Sequence, residues 1–331
     1  MTDPVQDCGR FTDELEQELR RGHYSILLPG SDRTLLAISD ASGLLDGLVR
    51  VGLPEHTLVR RVLDREHVSA AAREAGFAEV ESLVCAGPAE ALAGAQSLGF
   101  PLMLKTAQTA IGGGQAVARG FASVRVASQE ALSRAVAERP APFLLQRALR
   151  GGVLSVGGVM AQHRLLGMAA SRYVRTWRPE AGNVTFSETI TLPPGLYEQV
   201  QRLMIQLNWQ GLFELELIET ADGTLVPIDF NPRVYGSMAL AAAAGAPLAV
   251  VWCDWLMGRE PAPVIARAGV RYRWEEGELA HLALQLRRRR YGQALAVMRP
   301  RRHVVHAQAQ LSDPLPLIAR SVELLRRRIS A

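Results

Sequence analysis

Lysine is almost missing from this chain: among 37 basic residues Lys105 is the sole lysine, and every other one is arginine. Such a bias reflects genomic base composition more than function, so arginine abundance carries little weight. The lone lysine carries more, because an ammonium is a compact point charge whereas a guanidinium is a planar fork. Cysteine is scarce as well. Cys8, Cys85 and Cys253 stand far apart and form neither a paired zinc spacing nor a disulfide framework. No apolar run reaches membrane-spanning length, and the opening MTDPVQDCGRFTDELEQELRR is charged and amphipathic rather than signal-like. A cytoplasmic protein is therefore expected. With 331 residues, 48% of them hydrophobic, the chain can bury a sizeable core and is expected to form two or three domains.

What is present is concentrated in Gly211 to Ser237, GLFELELIETADGTLVPIDFNPRVYGS. Side chains of a strand alternate between faces, so Glu214 and Glu216 share one face of the run Leu212 to Ile218. Asp222-Gly223 marks a reversal, and the second run, Leu225 to Phe230, completes a hairpin. Asp229 and Asn231 again share a face. If the two faces match, carboxylates and an amide oxygen converge, with Arg233 just beyond. Such hard oxygen ligands suit Mg²⁺ bridging the phosphates of a nucleotide. Any one acidic strand residue by itself reads as part of a solvated surface. The full constellation shifts that balance.

Two further features lie upstream. Lys105 ends the apolar run FPLMLK and is followed by Gly112, Gly113 and Gly114, a strand end and a loop whose backbone amides can close over phosphates. Asp64 can cap the helix VLDREHVSAAAREAGF, with Arg65 in its first turn. Between them, Glu79 to Val84 reads as a strand and Pro88 to Leu98 as a helix.

Together these segments resemble the ATP-grasp superfamily, in its carbamoyl-phosphate synthase-like and carboxylate–amine ligase branch, over about residues 24 to 260. The run DFNPRVYGS stands where that family commonly has Glu-x-Asn-Pro-Arg, with Asp229 in place of the usual Glu. The resemblance implies an α+β ATP-grasp fold, two α+β lobes sandwiching ATP. It implies Glu216, Asp229 and Asn231 as ligands of Mg²⁺ or Mn²⁺, and Lys105, Arg65, Arg233 and the 112–114 glycine loop as phosphate contacts. It places the adenine hinge at Gln146, Arg147, Ala148 and Leu149 in PFLLQRALRGG. The ribose carboxylate common in the family is missing, since Val153, Leu154 and Ser155 occupy that stretch. Arg172, Arg175, Arg178 and Glu188 border the implied acceptor site, where an arginine can hold a carboxylate bidentately. The implied activity is ATP-dependent ligation of a carboxylate to an amine-type nucleophile through an acyl phosphate, with Lys105 and Arg233 supporting phosphoryl transfer.

The ends of the chain depart from that pattern. Only some sixty residues precede Asp64, so residues 1–62 read as a shortened Rossmann-like region with one strand, His23 to Pro29, a helix from Asp32, and a helix Phe11 to Arg21. A shortened sheet would expose an edge, which favours a homodimer. The ATP-grasp domain is set at 63–260, and 261–331 is expected as an arginine-rich, mostly helical extension with helices at Glu276 to Tyr291 and Pro316 to Arg328. Its arginine clusters, 287–290 and 326–328, suit helix C-termini. Two alternatives stay open: an ATP-binding protein of this fold without ligase activity, and an arginine-rich nucleic-acid or protein interaction module. No aromatic interleaving or recognised binding module supports nucleic acid.

Overall fold

A computed structural model describes residues 1–107, 123–178, 182–299, 301–309, 313–316 and 318–320. The N-terminal region is helical: α1 (Cys8–Arg21), α2 (Asp32–Asp40), α3 (Ser42–Leu45) and α4 (His56–Val62). Phe11, Leu15 and Leu19 recur at helical spacing on α1 and pack against Ala37, Ile38 and Leu45. The expected strand at His23 to Pro29 is corrected to a single bridge, Ile26 to Arg50. One bridge supplies too few ladder bonds to build a sheet, so the described N-terminal residues present no sheet edge for a second copy to cover.

The next elements form a small lobe: α5 (Arg65–Glu74), β1 (Ser82–Cys85), α6 (Pro88–Leu98), β2 (Leu102–Thr106), β3 (Val124–Val126), α7 (Gln129–Ala137) and β4 (Phe143–Arg147). Asp64 caps α5 as expected, its carboxylate accepting from the backbone N–H groups of Glu66 (2.9 Å) and His67 (3.3 Å). The four strands pair antiparallel in the order β1-β4-β2-β3. Alternate residues Leu102, Leu104, Phe143 and Leu145 pack beneath α6 and α7.

A larger sheet follows, from β5 (Gly152–Ala161), β6 (Arg164–Thr176) and β7 (Val184–Ile190), then α8 (Leu196–Gln206), β8 (Gly211–Glu219) and β9 (Leu225–Asn231). Beyond them come α9 (Met238–Ala243), α10 (Leu248–Leu256), β10 (Val264–Ile265), β11 (Arg271–Arg273), α11 (Glu275–Arg287), α12 (Tyr291–Met298) and β12 (Val304–His306). The strand order is β12-β11-β7-β6-β5-β8-β9, and β10 pairs with β6. The expectation of a mostly helical segment after 260 is thus amended, because three of its runs complete the large sheet. The expected helix Glu276 to Tyr291 also divides: Arg289 takes φ +56° between α11 and α12. The helix expected at Pro316 to Arg328 and the cluster 326–328 fall largely outside the described residues.

Period-two alternation divides the large sheet into two unlike faces. Leu154, Val156, Leu215, Leu217 and Phe230 lie in the principal core under α8, whose Leu196, Val200, Leu203 and Met204 recur at helical spacing, and under α5. The opposite face is apolar only where α9 and α10 cover it, around Val159, Leu212 and Trp252. The rest of that face is polar and carries the candidate site. One stretch of it is clamped from outside: Arg175 and Glu278 of α11 form a bidentate pair, 2.9 and 2.5 Å, with side chains 9% and 4% exposed.

Candidate functional site

The β8–β9 hairpin positions the acidic residues as the alternation predicts. Glu214 opposes Asn231 and Glu216 opposes Asp229, with a register shift after Glu216. Opposed residues on one face stand about 4.5–5.5 Å apart at Cβ. The turn closes because Gly223 takes φ +84°, a backbone conformation L side chains rarely adopt, while the Asp222 carboxylate accepts from Thr220 and Thr224.

The small lobe reaches this hairpin with two cations. Lys105, at the end of β2, donates from Nζ to the Ile228 carbonyl at 2.6 Å. Arg65 donates to the Thr106 carbonyl and to Asp229 Oδ1, both at 3.0 Å, and its backbone N–H reaches the Ala107 carbonyl. Arg65 Nε is buried and has no hydrogen-bond partner among the described residues. Burial lowers the Lys105 pKa to about 8, with Arg65 pushing the same way against the attraction of Asp229 and Glu216. Burial, reinforced by Glu214 and Asp229, pushes Glu216 up to about 8. Glu214 is also raised by burial.

These shifts set a direction for stability. Glu216 binds its proton more tightly in the folded chain than its ordinary 4.5, so ligand-free stability should fall as pH rises from about 4.5 to about 8. Urea unfolding midpoints at several pH values should show this slope, and Glu216→Gln should flatten it. An unchanged slope in the variant would remove Glu216 as the source.

The remaining partners are specific. Glu214 accepts from Ser155 Oγ (2.7 Å) and from Asn231 Nδ2 (3.1 Å), and Glu216 accepts from the Tyr173 hydroxyl (2.6 Å). Burial and the two glutamates hold the Tyr173 phenol well above its usual range. Arg233 donates to Asp32 Oδ1 at the start of α2 (2.6 Å) and to Asn231 Oδ1 (2.8 Å). The guanidinium expected to face phosphates is therefore also a tie between the hairpin and the N-terminal region.

The donor set fits a hard divalent cation. Glu216 and Asp229 offer a pair of carboxylates on one face, surrounded by buried negative charge that Lys105 and Arg65 only partly offset. Among the described residues no three His, Cys, Asp or Glu side chains form a metal-binding group by themselves. Mg²⁺ shared with substrate phosphates needs only one or two carboxylates. Asn231 Oδ1, the third expected ligand, already accepts from Arg233.

Other expected residues meet the structure less simply. Gly112, Gly113 and Gly114 lie outside the described residues. In the hinge segment Gln146 is buried within β4, Arg147 pairs with Glu81 at 2.8 Å, and the Ala148 N–H is taken by the Pro101 carbonyl. Leu149 follows directly. The three candidate acceptor contacts are each neutralised: Arg172 by Glu219 (2.8 Å), Arg175 by Glu278, and Glu188 by Arg271 (2.9 Å). Arg178 stacks on Trp177, 4.2 Å from the ring centroid. The Nε–Nη2 edge of Arg175, the edge a bidentate carboxylate contact would use, is already taken by the buried Glu278 carboxylate.

Sequence reasoning missed Tyr173, Asp32 and the donor role of Ser155. A signal existed for the polar face, since Thr185, Ser187 and Thr189 alternate with Phe186 and Glu188 along β7. Hydroxyls at period two mark a polar sheet face as surely as carboxylates do.

Comparison with known proteins follows the same outline. Residues 64–151 match the family described as carbamoyl-phosphate synthase L chain, ATP binding domain. No curated protein matches the sequence. An L-amino acid ligase from Bacillus licheniformis superposes with a TM-score of 0.61 at 14% identity, over 78% of this chain and 62% of that one. The biotin carboxylase domain dimer of the Hydrogenobacter thermophilus 2-oxoglutarate carboxylase, in complex with MgADP, ADP and bicarbonate, gives 0.61 at 15% identity, over 80% and 60%. The N5-carboxyaminoimidazole synthetase of Staphylococcus aureus, complexed with ADP, gives 0.60 at 12% identity, over 78% and 67%. This chain thus spans 60 to 67% of the length of these three structures. Among the described residues no helix is long and apolar enough to cross a membrane.

Proposed function

We propose, from the ATP-grasp fold that this chain carries, that it is an ATP-dependent ligase joining a carboxylate to an amine or similar nucleophile through an acyl phosphate. The observation that carries the reading is the meeting of two walls: Glu216 and Asp229 opposed across the hairpin, and Lys105 and Arg65 reaching them from the small lobe. Glu216, Asp229 and Asn231 are the residues that would hold Mg²⁺ or Mn²⁺. When bound, the metal supplies charge neutralisation for the phosphates and a template for them. Lys105 Nζ and Arg65 exchange their present partners, the Ile228 carbonyl and Asp229, for phosphate oxygens. The cleft orients the reactants and presents charge where it develops, and these two effects carry the rate. The proposed adenine contact is the backbone beyond β4, at Leu149. The domain division at 62/63 and a cytoplasmic location belong to the same reading.

ADP release by the purified chain, measured against panels of carboxylates and amines, tests it. Asp229→Asn should weaken Mg-dependent ATP binding roughly tenfold or more, the scale of a lost charged contact, and leave the fold intact. Unchanged nucleotide affinity would count directly against the metal assignment. A second reading, ATP binding without ligation, is favoured by the neutralised Arg172, Arg175 and Glu188 and by the hinge stretch, where Leu154 is buried in the core and Ser155 serves Glu214. Persistent ATP binding without substrate-stimulated turnover would select it.

A further inference from the structure

From Leu279 to Ser312 the sequence holds seven arginines, at 287–290, 299, 301 and 302, and not one Asp or Glu. All seven are exposed. The acids just before this window are taken up: Glu275 pairs with His306, Glu276 with Arg320, and Glu278 with Arg175. The arginines therefore add up to one positive field. The dipole of α11 accounts for Arg287 in its last turn, whereas α12 has no basic residue in its last turn.

Between the two groups of arginines lies α12, whose apolar side chains are arranged against the usual sense. The smaller pair, Ala294 and Val297, is buried, while Tyr291, Leu295 and Met298 are 60%, 63% and 70% exposed. Spacings of four and three put these three on one face. Leu279 and Leu286, seven residues apart on α11, are exposed as well, and α11 packs against α12. A single exposed leucine is ordinary, but five large apolar side chains on two adjacent helices, rimmed by charge, mark a contact surface.

Charge and shape decide what it contacts. A second copy would bring two arginine rims together, and residues 321–331, with three arginines and one glutamate, are repelled by the same field. Nucleic acid would satisfy the arginines, but its bases stack on aromatic rings, and Tyr291 is the sole Phe, Trp or Tyr of the window. Protruding leucine and methionine side chains need matching pockets in a folded protein partner, whereas a fluid bilayer yields around them. Arginine stems lie along the apolar layer while their guanidinium groups stay at headgroup level. We infer that α12 and its flanking arginines are the contact of this chain with an anionic lipid surface, on which it lies without spanning. Tyr291, Leu295 and Met298 enter the acyl boundary, and the arginines meet the headgroup phosphates.

Co-sedimentation of the full chain with lipid vesicles provides the test. Vesicles mixing phosphatidylglycerol with phosphatidylcholine should carry the chain down, vesicles of phosphatidylcholine alone should not, and added salt should release it. Leu295→Gln should weaken binding roughly tenfold, and Arg299→Gln combined with Arg301→Gln roughly tenfold or more, with urea midpoints unchanged. No binding to the mixed vesicles, or equal binding to both kinds, would overturn the lipid assignment. Loss in the arginine variant alone, with displacement by short duplex DNA, would overturn it in favour of nucleic acid. A concentration-dependent dimer that Leu295→Gln dissolves would overturn it in favour of a second copy. Lowered urea midpoints in both variants would show side chains that serve the fold, and would overturn it too.

Discussion

Lys105→Met is expected to lower MgATP-dependent turnover by roughly 10²–10³, the cost of removing one preorganised charge from a developing anion. The substitution keeps the length and apolar stem of the side chain, so loss of activity would not report a collapsed lobe. In the ligand-free chain Lys105 is 7% exposed, and burial pulls its pKa down to about 8. Burial disfavours the charged form of Lys105 in the folded chain, so an apolar side chain of similar length removes that cost. The Ile228 carbonyl does lose its 2.6 Å donor, which offsets part of any gain. Urea unfolding should therefore give a midpoint at or above that of the wild type, while ADP release nearly stops. Full activity in the variant would sink the assignment of Lys105 to the phosphates. No other lysine exists in the sequence to substitute for it.

The largest stability effect is expected at the opposite end of the polar face. Glu278→Ala should cost about 3–5 kcal/mol, the range for breaking a buried ion pair and leaving one charge uncompensated. Glu278 receives both forks of Arg175 and the Thr185 hydroxyl (2.7 Å), with Arg273 nearby at 3.8 Å, so its removal strands several donors at once. The Arg175→Met, Glu278→Leu double variant should recover much of that loss, since apolar partners of similar volume replace both charges. Denaturant midpoints of the wild type, the single variant and the double variant decide this. Additive losses in the double variant would show that the pair is not the unit.

Much of the fold was legible because its signals are local. The hairpin was readable from Glu214 and Glu216 at period two, an Asp-Gly turn, and Asp229 and Asn231 at period two again. The structure pairs them as that spacing requires. Pro88–Leu98 begins and ends where its proline and following glycine place it. The segment His23 to Pro29 misled because strand propensity does not supply a neighbouring strand, and Arg50 provides only one bridge. Beyond 260, the run GVRYRW reads as a short strand in the sequence and contains β11, whereas the short run that forms β12 stayed concealed beside arginine-rich helices; β11 pairs with β7 and β12.

The sequence by itself determined which residues can present oxygen and positive charge, and on which face of each strand they lie, because alternation and turn chemistry act over a few residues. It also determined that Lys105 stands alone as an ammonium. Tertiary structure decided which of these groups are available. Arg175, Arg172 and Glu188 looked equivalent to a ligand contact until α11, β8 and β11 brought Glu278, Glu219 and Arg271 against them. Arg233 acquired Asp32 from the N-terminal region. Ion pairs and cavities join residues with no fixed separation along the chain, so the charge and hydrogen-bonding capacity left for a ligand become defined only when the sheet closes.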